Sequence, residues 1–418
     1  MIDTPPLTSS LQWMFIDMDS FFASAERHLR PELRGRPVGV IPVESEGTCV
    51  IAASADAKKL GIKVGTPVRE ARALCPGIAL VKARPAVYVE LHKAILASVD
   101  RCAPVHKVYS IDEWSIRLQG PERTPAGATE LARKIKKQML ADLSPWLTGS
   151  VGVAPSRLLA KIASDMDKPD GLTIIDLDSM PGQIELLRPK DLAGIGPSMQ
   201  RRLEAAGITS VRALWSISRS DARRIWGSVQ GELWWLGLRG YDIPEAPTAR
   251  RTISHANVLA PEFRNDAGAH GILTRLVCKG AARLRHMGYV AERLHVHVRG
   301  ANERSWEAEA ALDATQETLT IVRALESVWK TRPWRDAAKR ANWEPILKIS
   351  MTLSGLTPTG SATGSLFEGE RRLDQLSNAI DRINRRWGKH SVYPGAMHEY
   401  RHEMDDKIAF GRIPGEAG

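Results

Sequence analysis

The stretch Tyr109-Ser110-Ile111-Asp112-Glu113 puts two adjacent carboxylates at the end of an apolar, strand-like run of Val105, Val108, Tyr109 and Ile111. A second run follows at once, with Trp114, Ile116 and Leu118 on one face against Ser115 and Arg117 on the other. That is period-2 patterning on both sides of an acidic pair. Asp and Glu are poor strand residues, and adjacent like charges repel. Two readings account for such a pair: a solvated hairpin tip, or a divalent-metal site whose cation offsets the repulsion. A second acidic cluster favours the metal. Trp13-Met14-Phe15-Ile16 is an apolar run that ends abruptly in Asp17-Met18-Asp19. If the two strand ends are neighbours in one sheet, they present several oxygen-bearing groups to one point. Hard cations such as magnesium take such oxygen ligands, a few from protein and the rest from water and phosphate.

At 418 residues the chain has room for roughly two to four domains. Its 43% hydrophobic and 25% charged content is ordinary for a soluble globular protein. The sign of the charge is less ordinary. Lys and Arg number 58 against 48 acidic residues, a net +10, which favours a polyanionic partner, nucleic acid ahead of a membrane surface. Cys49, Cys75, Cys102 and Cys278 are scattered without zinc spacing and read as thiols in a reducing compartment. No apolar stretch reaches the length of a membrane span and no secretory core region stands out, so a cytoplasmic location is expected.

Residues 1–10 read as a disordered leader. Ser20 is a candidate N-cap for a helix to about residue 29, which sets Phe21 and Phe22 beside the first acidic cluster. Residues 33–85 are broken by glycines. Strands are expected at 38–41 and 49–52, and a helix at 55–60 carrying Lys58 and Lys59. Helices at 88–101 and 127–143 flank the acidic hairpin. A strand at 150–154, a helix at 156–165, the turn Lys168-Pro169-Asp170-Gly171 and a strand at 172–175 complete an α+β region around one sheet. From 181 the pattern is helical. Gly194-Ile195-Gly196, ahead of a helix at 198–206, reads as a helix-turn-helix whose backbone amides can bind phosphate without reading sequence. Trp226, Trp234 and Trp235 are expected in its core. Beyond a linker, 252–259, 267–287, 294–298, 305–311, 318–330 and 346–353 read as β-α-β-β-α-β, a split βαβ module. It is basic, with 17 Lys/Arg against 11 Asp/Glu between Arg250 and Lys348, which suits a grip on nucleic-acid backbone. His295 and His297 fall on alternate positions of one of its strands, where a shared solvated or DNA-facing side is expected rather than a metal. A Gly/Ser/Thr-rich tether then leads to Leu366-Phe367 and a helix at about 373–386.

Taken in order, Ile16-Asp17-Met18-Asp19-Ser20-Phe21-Phe22-Ala23, Tyr109 to Glu113, Ser150-Val151-Gly152-Val153-Ala154, Lys161-Ile162-Ala163-Ser164 and Lys168-Pro169-Asp170-Gly171 resemble the Y-family DNA polymerases, their bacterial DinB/UmuC branch above all. The resemblance implies an α+β multidomain, right-hand polymerase. The palm would be 11–25 and 86–180, the small fingers 26–85, and the helical thumb, built on a helix-hairpin-helix, 181–240. A linker at 241–251, a βαββαβ little finger domain at 252–355 and a C-terminal tail at 356–418 would follow. Asp17, Asp112 and Glu113 match the family's catalytic carboxylates and, with the Met18 carbonyl, would hold two Mg2+ ions. Ser20, Phe21, Phe22, Lys58 and Lys168 would bind the dNTP, with Phe22 as the steric gate against a 2′-hydroxyl and Lys168 on the triphosphate. Gly194, Ile195, Gly196, Arg250 and Arg251 would bind primer-template DNA. Leu366 and Phe367 resemble the family's sliding-clamp peptide, although Thr363 stands where Gln is usual.

The implied reaction is templated attack of a primer 3′-hydroxyl on the dNTP α-phosphate, of the error-prone translesion type. No further acidic constellation follows Glu113, so no proofreading is expected. The fingers depart from the family pattern. Ala52, Ala55 and Lys58 stand where many members carry Thr, Tyr and Arg. Lysine keeps the charge but loses the bidentate fork, and each lost hydroxyl removes a hydrogen bond worth about 1 kcal/mol. Weaker dNTP binding is expected, or compensation by Lys59 or Arg69. Two other readings compete: a non-catalytic DNA-binding accessory protein of the same fold, and an unrelated metal-dependent nuclease. The first has no use for three retained carboxylates. The second leaves Phe22, the helix-turn-helix and the basic module without a role.

Overall fold

The computed structural model describes residues 7, 10–245, 250–300, 304–336, 343, 345–361, 368–388 and 390–400. Most of the expected leader, and both Leu366 and Phe367, lie outside the described residues. The chain divides after Glu245 into two compact units.

The first unit opens with β1 (Trp13–Met18), buried at every residue. Helix α1 (Phe21–Leu29) follows. Ser20 holds the N-cap position, but its side chain makes no cap hydrogen bond and its backbone is left-handed, with φ 50. Its carbonyl accepts from the amides of Ala23 and Ser24 instead, which lets the chain turn sharply from strand into helix. A small sheet comes next: β2 (Val38–Ile41), β3 (Ala52–Ala53), α2 (Ala55–Lys59), α3 (Val68–Leu74) and β4 (Ala79–Lys82), in the order β3-β2-β4. The strand expected at 49–52 shrinks to Ala52–Ala53 because its hydrogen bonds diverge. Ile51 donates to Val40 of β2, whereas Val50 donates to Thr66 in a loop. Helix α3 and strand β4 escape the sequence pattern, since both are short and set among glycines.

The main sheet is assembled from α4 (Pro85–Asp100), β5 (Val105–Val108), β6 (Glu113–Arg117), α5 (Pro125–Asp142), β7 (Gly149–Ala154), α6 (Arg157–Met166) and β8 (Leu172–Ile174). Its order is β5-β6-β1-β7-β8, so β1 lies in the centre, antiparallel to both neighbours. Alternation along β1 serves two cores. Met14, Ile16 and Met18 pack with Trp114, Ile116 and Ile135. Trp13 and Phe15 turn to the opposite face, with Leu159 and Ile162 of α6. Helix α6 rides directly on β7. A Cβ at Gly152 would stand 2.0 Å from the Ala160 carbonyl oxygen and 2.2 Å from the Ser164 amide. Glycine is what allows that approach.

Four short helices, α7 (Pro197–Ala205), α8 (Val211–Ser216), α9 (Arg219–Trp226) and α10 (Val229–Leu238), extend the α6 core through Leu203, Val211, Leu214 and Leu238. Trp226, Trp234 and Trp235, expected inside, are half-buried. Trp226 and Trp234 stack 5.1 Å apart. The linker expected at 241–251 is no free tether at its start. Trp13 Nε1 donates to Asp242 at 2.6 Å and Arg117 donates to the same carboxylate at 2.5 Å. Glu245 takes both Lys107 and Arg157. Two acids facing a ready cluster of cations strap residues 241–245 to the sheet.

The second unit contains β9 (Thr252–Val258), α11 (Asp266–His286), β10 (Tyr289–Gly300), β11 (Ser305–Thr315), α12 (Thr318–Trp329), β12 (Ile346–Ser354), β13 (Thr357–Pro358) and α13 (Glu368–Trp387). Its sheet runs β11-β10-β12-β9, with each pairing antiparallel. Strand β12 splits β9 from β10, as the βαββαβ reading requires. The helix expected at about 373–386 in the C-terminal tail is α13, and it is fastened to its unit. The Arg285 guanidinium donates twice to Asp381 of α13, at 2.7 and 2.9 Å, and the Ser377 hydroxyl donates to Glu317 at 3.0 Å.

Candidate active site

The two acidic strand ends meet. In the register of β1 and β6, Asp17 lies opposite Glu113, and the Met18 amide donates to the Asp112 carbonyl at 2.9 Å. The tip at 109–113 therefore lies beside the first acidic run. The tip is folded back against β1, and its turn is held by the Ser110 hydroxyl donating to Asp112 at 2.5 Å.

Burial sets the electrostatics. Asp17 is 6% exposed. Burial pushes its carboxyl up, but the ammoniums of Lys161 and Lys168 outweigh that and hold it below the usual range. Lys168 reaches Asp17 at 2.6 Å and Asp165 at 2.7 Å, while Lys161 pairs with Asp17 and, at 2.8 Å, with Glu113. Burial, only partly offset by Lys161, pushes Glu113 up to about 7, and Asp17 adds to the push. Burial also raises Asp112. Asp112 and Glu113, unlike Asp17, lack sufficient counter-charge, which is the condition a hard cation relieves. Among the described residues no three acidic or imidazole groups yet converge on one metal position; the lysine ammoniums stand among them. Both Lys161 and Lys168 sit on the Asp17 carboxylate, and the donors around them are oxygens, the kind a hard divalent cation takes.

A cleft of about 460 Å³ opens beside these acids. Asp17, Met18, Asp112, Ser20, Phe21, Phe22, Lys58 and Lys168 all line it. Ala52 and Ala55 form part of its wall, so their lost side chains translate into open space. Lys58 is pulled below its ordinary range by burial and then by Lys168 across the cleft, as two cations awaiting one anion would be. Phe22 stacks on Tyr88 at 4.6 Å and 15°. Tyr88 is pinned in turn: its hydroxyl donates to the buried Glu26 at 2.7 Å, and Arg84 donates to the same carboxylate at 2.7 and 3.0 Å.

Several roles escaped the sequence. Lys161 is the main partner of the acids. Tyr88, Glu26 and Arg84 fix Phe22 from behind. Asp19 also lines the cleft, and its carboxylate accepts from Ser150 at 2.7 Å, Thr148 at 2.9 Å and the Asp170 amide at 2.8 Å. It anchors the turn that carries Lys168. The spacing Asp17-x-Asp19 did not signal that division: alternate strand residues share a face, but Asp19 is already past the end of β1.

Elsewhere, Gly194 has φ +88, and a Cβ there would stand 3.1 Å from Trp234 Nε1, which donates to the Ala193 carbonyl at 2.9 Å. Ile195 is buried, at 5% exposure, and its amide donates to the Leu192 carbonyl at 3.1 Å. Nothing crowds Gly196. Arg250 and Arg251 lie in the second unit, where Arg250 approaches the Met287 sulfur at 3.0 Å. His295 and His297 lie opposite Glu309 and Glu307 on β11, a ladder of opposite charges when the histidines are protonated.

Among the described residues no helix is long and apolar enough to cross a membrane. The impB/mucB/samB family model matches residues 16–165, and its C-terminal domain matches residues 250–366. A DNA polymerase IV of Moorella thermoacetica is 30% identical over 93% of this chain and 96% of its own. Among solved structures, a Y-family DNA polymerase chimera (Dbh-Dpo4(243-245)-Dbh) shares the fold with a TM-score of 0.68 at 24% identity, covering 83% of this chain and 99% of that one. An insertion ternary complex of Dbh DNA polymerase gives a TM-score of 0.52 at 25% identity, over 82% and 98%. Both parts of the family are matched in order, and the fold is shared almost end to end with the solved polymerases. The chain belongs to the impB/mucB/samB family, the Y-family DNA polymerases of the DinB type.

Proposed function

We propose that Asp17, Asp112 and Glu113, with the Met18 carbonyl, are the catalytic centre of a template-directed DNA polymerase of the translesion type. The activity belongs to the family, and the residue roles are our reading. The observation that carries it is the register that sets Asp17 opposite Glu113 at the mouth of a cleft lined by Phe22, Lys58 and Lys168. Family membership carries divalent-metal use. We assign two Mg2+ ions to these carboxylates, where they would stabilise the attacking and leaving oxygens of the transfer.

The chain's own residues do the rest. Lys58 and Lys168 face the same cleft and neutralise a triphosphate there. Lys161 leaves Asp17 and Glu113 when other positive charge arrives, and until then keeps the acids from repelling one another. Phe22, backed by Tyr88, is a rigid apolar wall where a ribose 2′-hydroxyl would stand. The palm is 11–25 and 86–180, the fingers 26–85, the thumb 181–240 and the little finger 252–355. Gly194 and Gly196 offer backbone amides to primer-template DNA, on a turn that the buried Ile195 seats in the core, and Arg250 and Arg251 offer charge. Leu366 and Phe367 dock a sliding clamp, and the protein works in the cytoplasm. The non-catalytic accessory reading is not favoured, since the relatives are polymerases by name.

The test is primer extension with dNTPs and NTPs in parallel. Wild type extends with dNTPs. Phe22→Val keeps dNTP extension and raises ribonucleotide use about 100-fold, the discrimination an apolar wall gives against one added hydroxyl. Unchanged exclusion of NTPs by that variant would remove Phe22 from the site.

A further inference from the structure

Phe22 is held in the wall of the cleft by residues that do not reach the cleft themselves. Phe22 and Glu26 stand one turn apart on α1, and Arg84 and Tyr88 one turn apart where α4 begins, so each pair shares a helix face. The two faces meet twice. Phe22 stacks on the Tyr88 ring at 4.6 Å. Glu26 accepts the Tyr88 hydroxyl at 2.7 Å and two nitrogens of Arg84 at 2.7 and 3.0 Å. Arg30 closes on the same carboxylate at 3.3 Å. Glu26 and Tyr88 are 0% exposed, and of these side chains only Phe22 lines the cleft.

A carboxylate buried in that place is costly. An apolar side chain of similar size would pack under Tyr88 with no desolvation penalty, and a buried ion pair adds little stability over such a replacement. What it adds is direction. A stacked ring pair tolerates many offsets. A charge-assisted bond at the far end of the Tyr88 ring selects one of them, and the paired guanidinium nitrogens fix the carboxylate that makes it. We propose that Glu26 is a positioning residue for sugar selection. Through the Tyr88 hydroxyl it sets the Phe22 ring where a deoxyribose fits and a ribose does not. Glu26 can act so only if Phe22 is the wall against the 2′-hydroxyl.

The test measures kcat/KM for a dNTP and the matching NTP in single-nucleotide primer extension by the full chain. The variants are Glu26→Gln, Tyr88→Phe and Phe22→Val, singly and combined. Glu26→Gln keeps the shape and drops the charge, and Tyr88→Phe keeps the ring and drops the hydroxyl. Each should raise the NTP/dNTP ratio about 10-fold, a part of the roughly 100-fold that the wall supplies, chiefly through a lower KM for the NTP. Both break one link, so the Glu26→Gln/Tyr88→Phe double variant should also show about 10-fold, and neither change should add to Phe22→Val. A purely structural role lowers dNTP and NTP use together and leaves the ratio at the wild-type value, and that result overturns the proposal. So does a ratio that multiplies in the double variant or in the Phe22→Val background, because the groups would then act independently. If Glu26→Gln does not fold, Tyr88→Phe alone and on Phe22→Val decides the matter by the same ratios. A ratio unmoved in Phe22→Val removes the wall itself and Glu26's role with it. A ratio raised in Phe22→Val but unmoved in Tyr88→Phe overturns the role of Glu26 and leaves the wall standing.

Discussion

Asp112→Asn abolishes primer extension, by about 1,000-fold or more, and leaves the protein at least as stable as the wild type. The first half follows from removing a carboxylate from the proposed metal-binding set. The second follows from its surroundings. Asp112 is half-buried and hydrogen-bonded to Ser110, and Lys161 offsets its desolvation only in part. Burial raises its pKa, so its charged form opposes folding once the pH exceeds the unfolded value of about 3.9. Asparagine keeps the shape and drops the charge. The variant's advantage, about 1 kcal/mol, is present at pH 7 and vanishes below about pH 4, where both states of the wild type are protonated. Asp17→Asn is equally inactive but behaves oppositely in stability. Its carboxylate is held down by Lys161 and Lys168, so it supports folding above the unfolded pKa and loses that support as the pH falls through the folded one. Without it, two lysines 19% and 31% exposed lose one of the two carboxylates they share, Asp165 remaining, at a cost of about 2 kcal/mol, less than for a fully buried pair. Urea unfolding of both variants at pH 7 and pH 4, beside primer extension, separates the cases. Retained extension by Asp112→Asn would put Asp112 outside the catalytic set.

The difference between those two aspartates could not be read from the chain. That Asp17 and Asp112 end apolar runs was legible, because a buried strand that stops in carboxylates is locally unfavourable and invites a compensating partner. That Asp17 faces Glu113 depended on register, which sequence period does not fix between strands nearly a hundred residues apart. Lys161 sat inside a quoted motif, yet its role needed α6 laid against β7. Phe22 was visible as an aromatic beside acids. Its support by Tyr88 and Glu26 was not, since the three come together only through the packing of α1 and α4. The βαββαβ unit was legible in full order because its elements are long and its alternation clean. The short α3 and β4 were not, and neither was the strap at 241–245. Its acids read as linker polarity until Arg117, Arg157 and Lys107 supplied the other half.

Gly152→Ala unfolds the first unit about 10 °C earlier than wild type and lowers extension about 100-fold. The added methyl would lie 2.0 Å from the Ala160 carbonyl oxygen and 2.2 Å from the Ser164 amide. Both are backbone atoms of α6, so no side chain can swing aside, and the helix must lift from β7. Overpacking of this kind costs about 3 kcal/mol, and each kcal/mol moves the midpoint of a unit this size by roughly 2–4 °C. The activity falls for a linked reason. Helix α6 carries Lys161 and leads into the turn bearing Lys168, and both ammoniums are set against Asp17 by that packing. A displacement near 1 Å at such groups is worth about 100-fold. Gly47→Ala is the control, because only the Ser45 hydroxyl lies within 4 Å of its added carbon, at 3.7 Å. It should leave both the midpoint and extension unchanged. A Gly152→Ala protein with wild-type midpoint and activity would mean that α6 does not rest on β7, and the pairing of Lys161 with the acids would lose its structural basis.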